Sequence, residues 1–232
     1  MMKSLGIMGA MPEEVDLIMN ALEEKTVEVY AGVDYHIGKR GHTRLVVCCG
    51  GMGKANAAST AQVLITKFGV DGIIFSGIAG NMSSEIGIGD VVVGKELVYH
   101  DGEDDMFSQS APFTAKYAAD PLFVDAAVQA CRVAGVRFLV GRIATGDQFV
   151  GDPAVKRAIQ EKCDPACVEM EGAAVGQVAM RNKVPFVVLR AMSDNSDEGI
   201  DDLKAEGRFD IGEYVKTASA IVVAAVDALA AM

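Results

Sequence analysis

Apolar residues recur along this chain with two different periods, and the chain switches between them through most of its length. Residues 5–9 make a short apolar run around two glycines, and Pro12 then opens a helix, because proline fits a first turn. From 27 to 47, three strand-like runs are separated by Ala31-Gly32 and Arg40-Gly41, the pattern of a meander. Gly50 to Gly53 break into a helix over 54–68, and 71–76 read as a buried strand ending in the glycine-rich 77–80. A strand over 91–99 leads into an acidic stretch, 101–105, that begins a long loop. A helix from about 120 to 134, a strand over 137–144 and a helix near 153–162 follow. Next, a short strand gives way near 171 to a helix in which Ala174, Val175, Val178 and Ala179 fall at three- and four-residue spacing. A strand over 184–191 and an amphipathic helix over 211–229 complete the alternation. Without a linker, repeat or low-complexity segment, this predicts one α/β domain over 1–232, a central sheet between helical layers.

Composition narrows the partners. A 50% hydrophobic chain of 232 residues can bury a substantial core, which argues against disorder. The formal charge of −11 argues against nucleic acid or an anionic membrane as a partner, since both need a basic face. No run of about eighteen apolar residues occurs, and Asp227 breaks the last apolar helix. The first residues turn acidic too soon for a signal peptide. Five cysteines do not make a disulfide framework at this length, so a cytoplasmic protein with reduced thiols is expected.

Chemistry concentrates where predicted strands end. In 167–175, Glu169 and Glu171 alternate with Val168 and Met170 at the junction of strand and helix, where open α/β sheets place ligands. The plainer reading is that both glutamates only cap the helix. Glu14 stands in the first turn after the first strand, where the helix dipole favours a carboxylate. An exposed helix-start charge is its plainer reading, and the preferred one for Glu13. Asp194 follows the apolar run 187–192 and could equally make an Asx turn or a cap. Three carboxylates at one sheet edge suit glycosidic cleavage, which needs an acid for the leaving group, a base for water, and stabilisation of a cationic sugar ring.

Other motifs fail. Gly51-Met-Gly53-Lys54 lacks a Walker loop's glycine at Cys48 and its hydroxyl at Ala55, and Gly6 with Gly9 lack dinucleotide spacing. Cys163 and Cys167, with His36, His42 and His100, show no zinc spacing, so no metal is expected.

Eight segments carry a family resemblance. They are 9–15 (GAMPEEV), 51–54 (GMGK), 76–80 (SGIAG), 87–92 (GIGDVV), 99–101 (YHD), 145–149 (TGDQF), 168–171 (VEME) and 190–194 (RAMSD). Spread in order over nearly the whole chain, they resemble the 5′-methylthioadenosine/S-adenosylhomocysteine nucleosidases. The resemblance implies the nucleoside phosphorylase fold, a three-layer α/β/α sandwich with a mixed sheet, usually a homodimer working without metal or organic cofactor. It also implies roles. Glu14 resembles the base that activates water, and Asp194 the acid that protonates purine N7. Glu171 and Met170 match the pair that hold the ribose. Phe149 matches the ring stacked on adenine, and the Val150 backbone the group that reads the adenine edge. Gly80 and Met52 match pocket-lining positions, Phe209 the aromatic lid over the 5′ group, and Phe107 a residue lent to the neighbouring subunit's site.

Ile78 and Asn81 depart from the family, which usually has a hydroxyl residue and a glycine there; Pro12 replaces a residue that is often acidic. The expected function is hydrolysis of a 5′-substituted adenosine to adenine and the 5′-substituted ribose. The rivals are a futalosine hydrolase, a nucleoside phosphorylase on the same fold, and a non-catalytic nucleoside sensor. The phosphorylase is disfavoured because the glycine loops at 50–53 and 77–80 hold no arginine. Lys54, the one cation close by, opens a helix and either points to solvent or pairs with an acid.

Overall fold

A computed structural model describes residues 4–207 and 211–231. The strands are β1 (Ser4–Gly9), β2 (Glu23–Tyr30), β3 (Val33–Arg40), β4 (Thr43–Cys49), β5 (Gly72–Asn81), β6 (Val91–Tyr99), β7 (Tyr117–Ala118), β8 (Phe138–Thr145), β9 (Cys167–Glu169) and β10 (Phe186–Asp194). The helices are α1 (Glu13–Asn20), α2 (Lys54–Thr66), α3 (Asp104–Ser108), α4 (Pro121–Ala134), α5 (Pro153–Cys163), α6 (Gly172–Asn182), α7 (Ile200–Ala205) and α8 (Ile211–Ala231). All ten strands join one mixed sheet, ordered β10-β6-β8-β9-β5-β1-β4-β3-β2, with β7 on β6. β10 also pairs with β5, so β5, β10, β6, β8 and β9 close into a ring while β1, β4, β3 and β2 extend from it. This is an α/β fold with a central mixed sheet, the class that the resemblance implies.

Alternation along the strands explains the layers. Leu5 and Ile7 of β1, Leu45 and Val47 of β4, and Val187 and Leu189 of β10 bury against α1, α4 and α8. Their neighbours Met8, Val46, Cys48 and Val188 bury on the other face, under α2 and α6. Such strands read as continuous apolar runs because both faces are covered. Each fully buried Leu, Ile or Val contributes about 1.5–3 kcal/mol relative to exposure. Two helices start on the same device: Asp120 accepts from the backbone N–H groups of Leu122 and Phe123, and Asp152 from those of Ala154 and Val155, each ahead of a proline at the first position.

Three elements differ from expectation. The meander holds, but β2 begins at Glu23 rather than 27. The acidic loop contains α3, and β7 and α7 are short pieces without a periodic signal. Most consequential, β5 does not stop at Ser76 but runs to Asn81. The glycines in it allow close approach rather than a turn. A Cβ on Gly77 would overlap the Arg190 guanidinium and lie 2.7 Å from Glu14 Oε1, and one on Gly80 would overlap the Ser196 hydroxyl.

Candidate active site

The carboxyl ends of β1, β5, β9 and β10 surround a cavity of about 300 Å³. Eight of the expected site residues line it: Glu14, Met52, Gly80 and Phe149, then Val150, Met170, Glu171 and Asp194. Phe107 does not; it lies on Tyr99, ring centroids 4.5 Å apart, and against Gly102. Phe209 falls outside the described residues.

Glu14 is placed by the tight passage from β1 into α1. Its Oε2 accepts from the backbone N–H groups of Ala10 (2.6 Å) and Met11 (3.1 Å), and its Oε1 from that of Ile78 (3.1 Å). Only 3% of the residue is exposed, which rules out the surface-charge reading, whereas Glu13 is exposed. Burial pushes the Glu14 carboxyl above the usual carboxylate range; Arg190 and the three backbone donors oppose that without cancelling it. Because Ile78 contributes its backbone, the departure from a hydroxyl side chain leaves this contact intact.

Arg190 is the buried charge beside the cavity that pattern reading missed. It sits 1% exposed inside β10, with its guanidinium 4.2 Å from the Phe75 ring centre. Nε and Nη2 donate to Glu169 Oε2, and Nη2 stands 3.5 Å from Glu171 Oε2. Nη1 has no partner among the described residues. Burial alone would lower its pKa, but Glu169, Glu171 and Glu14 outweigh that and keep it charged. Two signals were visible: a lone arginine in the apolar run 187–192, and its place at the head of the segment 190–194.

The two glutamates of the 167–175 stretch divide the earlier alternatives between them. Glu169 accepts from the Gly172 N–H (2.7 Å), the Glu171 N–H (3.2 Å) and the Thr145 hydroxyl, so it does cap α6. Glu171 makes no cap bond; its Oε1 accepts from the Gly53 N–H at 2.8 Å and ties the start of α2 to the start of α6. Burial, with Glu169 beside it, pushes the Glu171 carboxyl up to about 7.

Asp194 occupies a different setting at the end of β10. Oδ2 accepts from the Ser193 hydroxyl (2.8 Å) and Oδ1 from the Ser196 N–H (2.8 Å), so the Asx-turn reading holds alongside exposure to the cavity. Burial raises its pKa, against the pull of Ser193 and Ser196. Asn81 is turned away from this chemistry: it donates to the Ile86 carbonyl and accepts from the Ser83 N–H, closing a turn. Lys54 pairs with Asp101 (2.7 Å) and Asp147 (3.4 Å) rather than with the solvent. No group of three His, Cys, Asp or Glu side chains among the described residues is arranged to hold a metal, and no described helix is long and apolar enough to cross a membrane.

Relatives place this geometry in context. Residues 4–227 match the phosphorylase superfamily. A 5′-methylthioadenosine/S-adenosylhomocysteine nucleosidase of Geobacillus sp. (strain WCH70) is 36% identical over 196 residues, 82% of this chain and 84% of its own. The crystal structure of the Neisseria meningitidis enzyme of the same name, in complex with methylthio-immucillin-A, superposes with a TM-score of 0.90 at 30% identity, covering 97% of this chain and 98% of the other. The futalosine hydrolase of Helicobacter pylori superposes with a TM-score of 0.88 at 28% identity, over 97% and 98%. The chain therefore belongs to the phosphorylase superfamily and, within it, to the 5′-methylthioadenosine/S-adenosylhomocysteine nucleosidases.

Proposed function

We propose that this protein, acting through one domain over 1–232, hydrolyses the N-glycosidic bond of 5′-methylthioadenosine, S-adenosylhomocysteine and related 5′-substituted adenosines. The products are adenine and the free 5′-substituted ribose. The observation that carries the reading is the placement of Glu14 and Asp194 along the same end of β5. Glu14 is held at Gly77 and Ile78, while Asp194 stands beside Gly80. Three residues of extended strand span about 10 Å. That leaves room for a water and a sugar between base and acid, unlike the roughly 5 Å of enzymes that form a covalent glycosyl intermediate.

In this reading Glu14 accepts a proton from the water that attacks the anomeric carbon, and Asp194 delivers one to purine N7, so adenine leaves neutral. Glu171 accepts hydrogen bonds from the ribose hydroxyls beside Met170. Phe149 stacks on the base, the Val150 backbone reads its edge, and Met52 and Gly80 complete the wall. Phe209, outside the described residues, keeps the role over the 5′ group that the resemblance implies. We further place the enzyme in the cytoplasm as a homodimer. Five free thiols support the first; a disulfide found in protein trapped from cells by alkylation would count against it. The exposed apolar side chains of Met106 and Phe113, flanking Phe107, support the second. Phe107 would offer the neighbour's site the ring face turned away from Tyr99. A monomeric sedimentation coefficient at full activity would refute this.

Water rather than phosphate is the nucleophile. One guanidinium, Arg190, faces three carboxylates, Glu14, Glu169 and Glu171, so no cation there is left over for a dianion. Lys204, the one basic residue on the cavity wall among those described, belongs to α7, which follows Asp194. The test is a panel of 5′-substituted adenosines, inosine and futalosine in phosphate-free buffer, with free base and sugar product measured. Adenine and free ribose derivative are expected at an undiminished rate. Ribose 1-phosphate, or a rate that climbs with phosphate, would overturn hydrolysis; preference for futalosine would favour the activity named for the Helicobacter pylori relative.

A further inference from the structure

Lys54 has no role in the site described above, yet it stands where three segments around the cavity meet. Helix α2 begins after Gly53, which has no side chain to cap it. Two carboxylates from distant segments cap it instead: Glu171 Oε1 accepts from the Gly53 N–H at 2.8 Å, and Asp147 Oδ1 from the Lys54 N–H at 2.9 Å. The Lys54 ammonium lies over Tyr99, 5.5 Å from the ring centre, and pairs with Asp101 at 2.7 Å and Asp147 at 3.4 Å. Asp101 Oδ2 also accepts from the Asp147 N–H at 2.9 Å, so the lysine and both aspartates close one ring of contacts. Asp101 is itself fixed, because Lys162 donates to the His100 and Gly102 carbonyls on either side of it, at 2.9 and 2.8 Å. Burial would raise the Asp101 carboxyl, but Lys54 and the Asp147 N–H hold it below the usual carboxylate range.

Asp147 shortly precedes Phe149 and Val150 in the irregular stretch between β8 and α5. Phe149 and Val150 make no hydrogen bond of their own among the described residues, and the Phe149 ring is 41% exposed. Resting on the nucleosidase reading, we infer that Lys54 is a positioning residue for the base. By holding Asp147 against the fixed Asp101, it sets where Phe149 presents its ring to the purine. Both carboxylates lie within 3.4 Å of one ammonium, so without it two like charges face each other and the 147–150 stretch leaves its anchor. The ribose side does not need that ammonium, since Glu171 is held by the Gly53 backbone N–H and lies beside Arg190. Nor do Glu14 and Asp194, whose hydrogen-bond donors all come from other residues. Losing the ammonium is therefore felt in binding and not in the chemical step.

The experiment is steady-state hydrolysis of 5′-methylthioadenosine by wild type, Lys54→Met, Phe149→Leu and the double variant. Lys54→Met should raise KM about fivefold, the worth of a partly exposed charge network, and leave kcat within about twofold of wild type. In the Phe149→Leu background, where the ring is already gone, the same change should move KM by less than about twofold, because both residues act through one contact. The ligand-free melting temperature of Lys54→Met should fall by no more than about 4 °C, as for other part-exposed ion pairs. An unchanged KM, a kcat that falls instead, a larger melting loss, or the same rise in KM with and without the Phe149 ring would overturn the inference. Wild-type protein that releases no adenine would instead sink the nucleosidase reading on which it rests.

Discussion

The two carboxylate neighbourhoods of the cavity are built on opposite principles. Around Glu14, charges meet charges: Arg190 lies among Glu14, Glu169 and Glu171, and backbone N–H groups of Ala10, Met11, Ile78 and Gly53 add further donors. Around Asp194 the described residues place no guanidinium in hydrogen-bond contact; the Ser193 hydroxyl and the Ser196 N–H are its hydrogen-bond donors. Burial raises both carboxyls; a buried guanidinium and three amides stabilise the ionised form of Glu14, whereas Asp194 has two hydrogen bonds and the weaker pull of Lys156, with Asp197 opposing it. One residue class thus meets two environments, which suit the two tasks of the proposed reaction, a base that must lose its proton and an acid that must carry one. Environment, not identity, divides them.

The largest test of that division is in turnover. Glu14→Gln should lower kcat by about 10²–10⁴-fold on every substrate, because an amide cannot take the proton of water. Asp194→Asn should match that loss only where the base leaves poorly as an anion, and be far milder on a nucleoside whose base departs without protonation. Both variants failing equally on such a substrate would erase the distinction between the two corners.

Next comes the arginine. Arg190→Met should cost about 3–5 kcal/mol in urea denaturation, because it strands Glu169 and Glu171 in the core without their shared cation. A loss below about 1 kcal/mol would mean that water already screens the cluster.

A smaller, pH-dependent effect belongs to Glu171. Its folded-state pKa of about 7 lies above the ordinary 4.5. Its contribution to stability is therefore full below pH 4.5 and lost as pH rises through 7. Glu171→Gln cannot ionise, so the ligand-free variant should gain on wild type across that window, by on the order of 2–3 kcal/mol at the top. Parallel stability curves from pH 4 to 8 would contradict the burial of that charge.

Reading the sequence reached the two proposed proton-transfer residues by one route. Glu14 and Asp194 each follow an apolar strand, so local pattern places them at the sheet's ligand-binding edge. Glu169 and Glu171 stand two residues apart and look equivalent in the sequence, yet one caps α6 and the other faces the cavity and Gly53. Arg190 read as an interruption in an apolar strand, because the three acids that make it tolerable come from β9, its following turn and α1. Gly77 and Gly80 read as a strand end for a related reason: the side chains that need their bare Cα atoms belong to 14, 190 and 196.

By itself, then, the sequence determined the order of strands and helices, the two-sided burial of the sheet, the family, and which carboxylates stand at strand ends. Those properties are local, carried by periodicity, turn residues and short motifs. Tertiary structure alone decided that β10 pairs with both β5 and β6, that Arg190 joins three acids, and that Ser196 rests on Gly80. Each depends on contacts that local pattern does not specify, between segments about 20 to 180 residues apart, and the energy of a buried charge or hydroxyl depends on what arrives beside it.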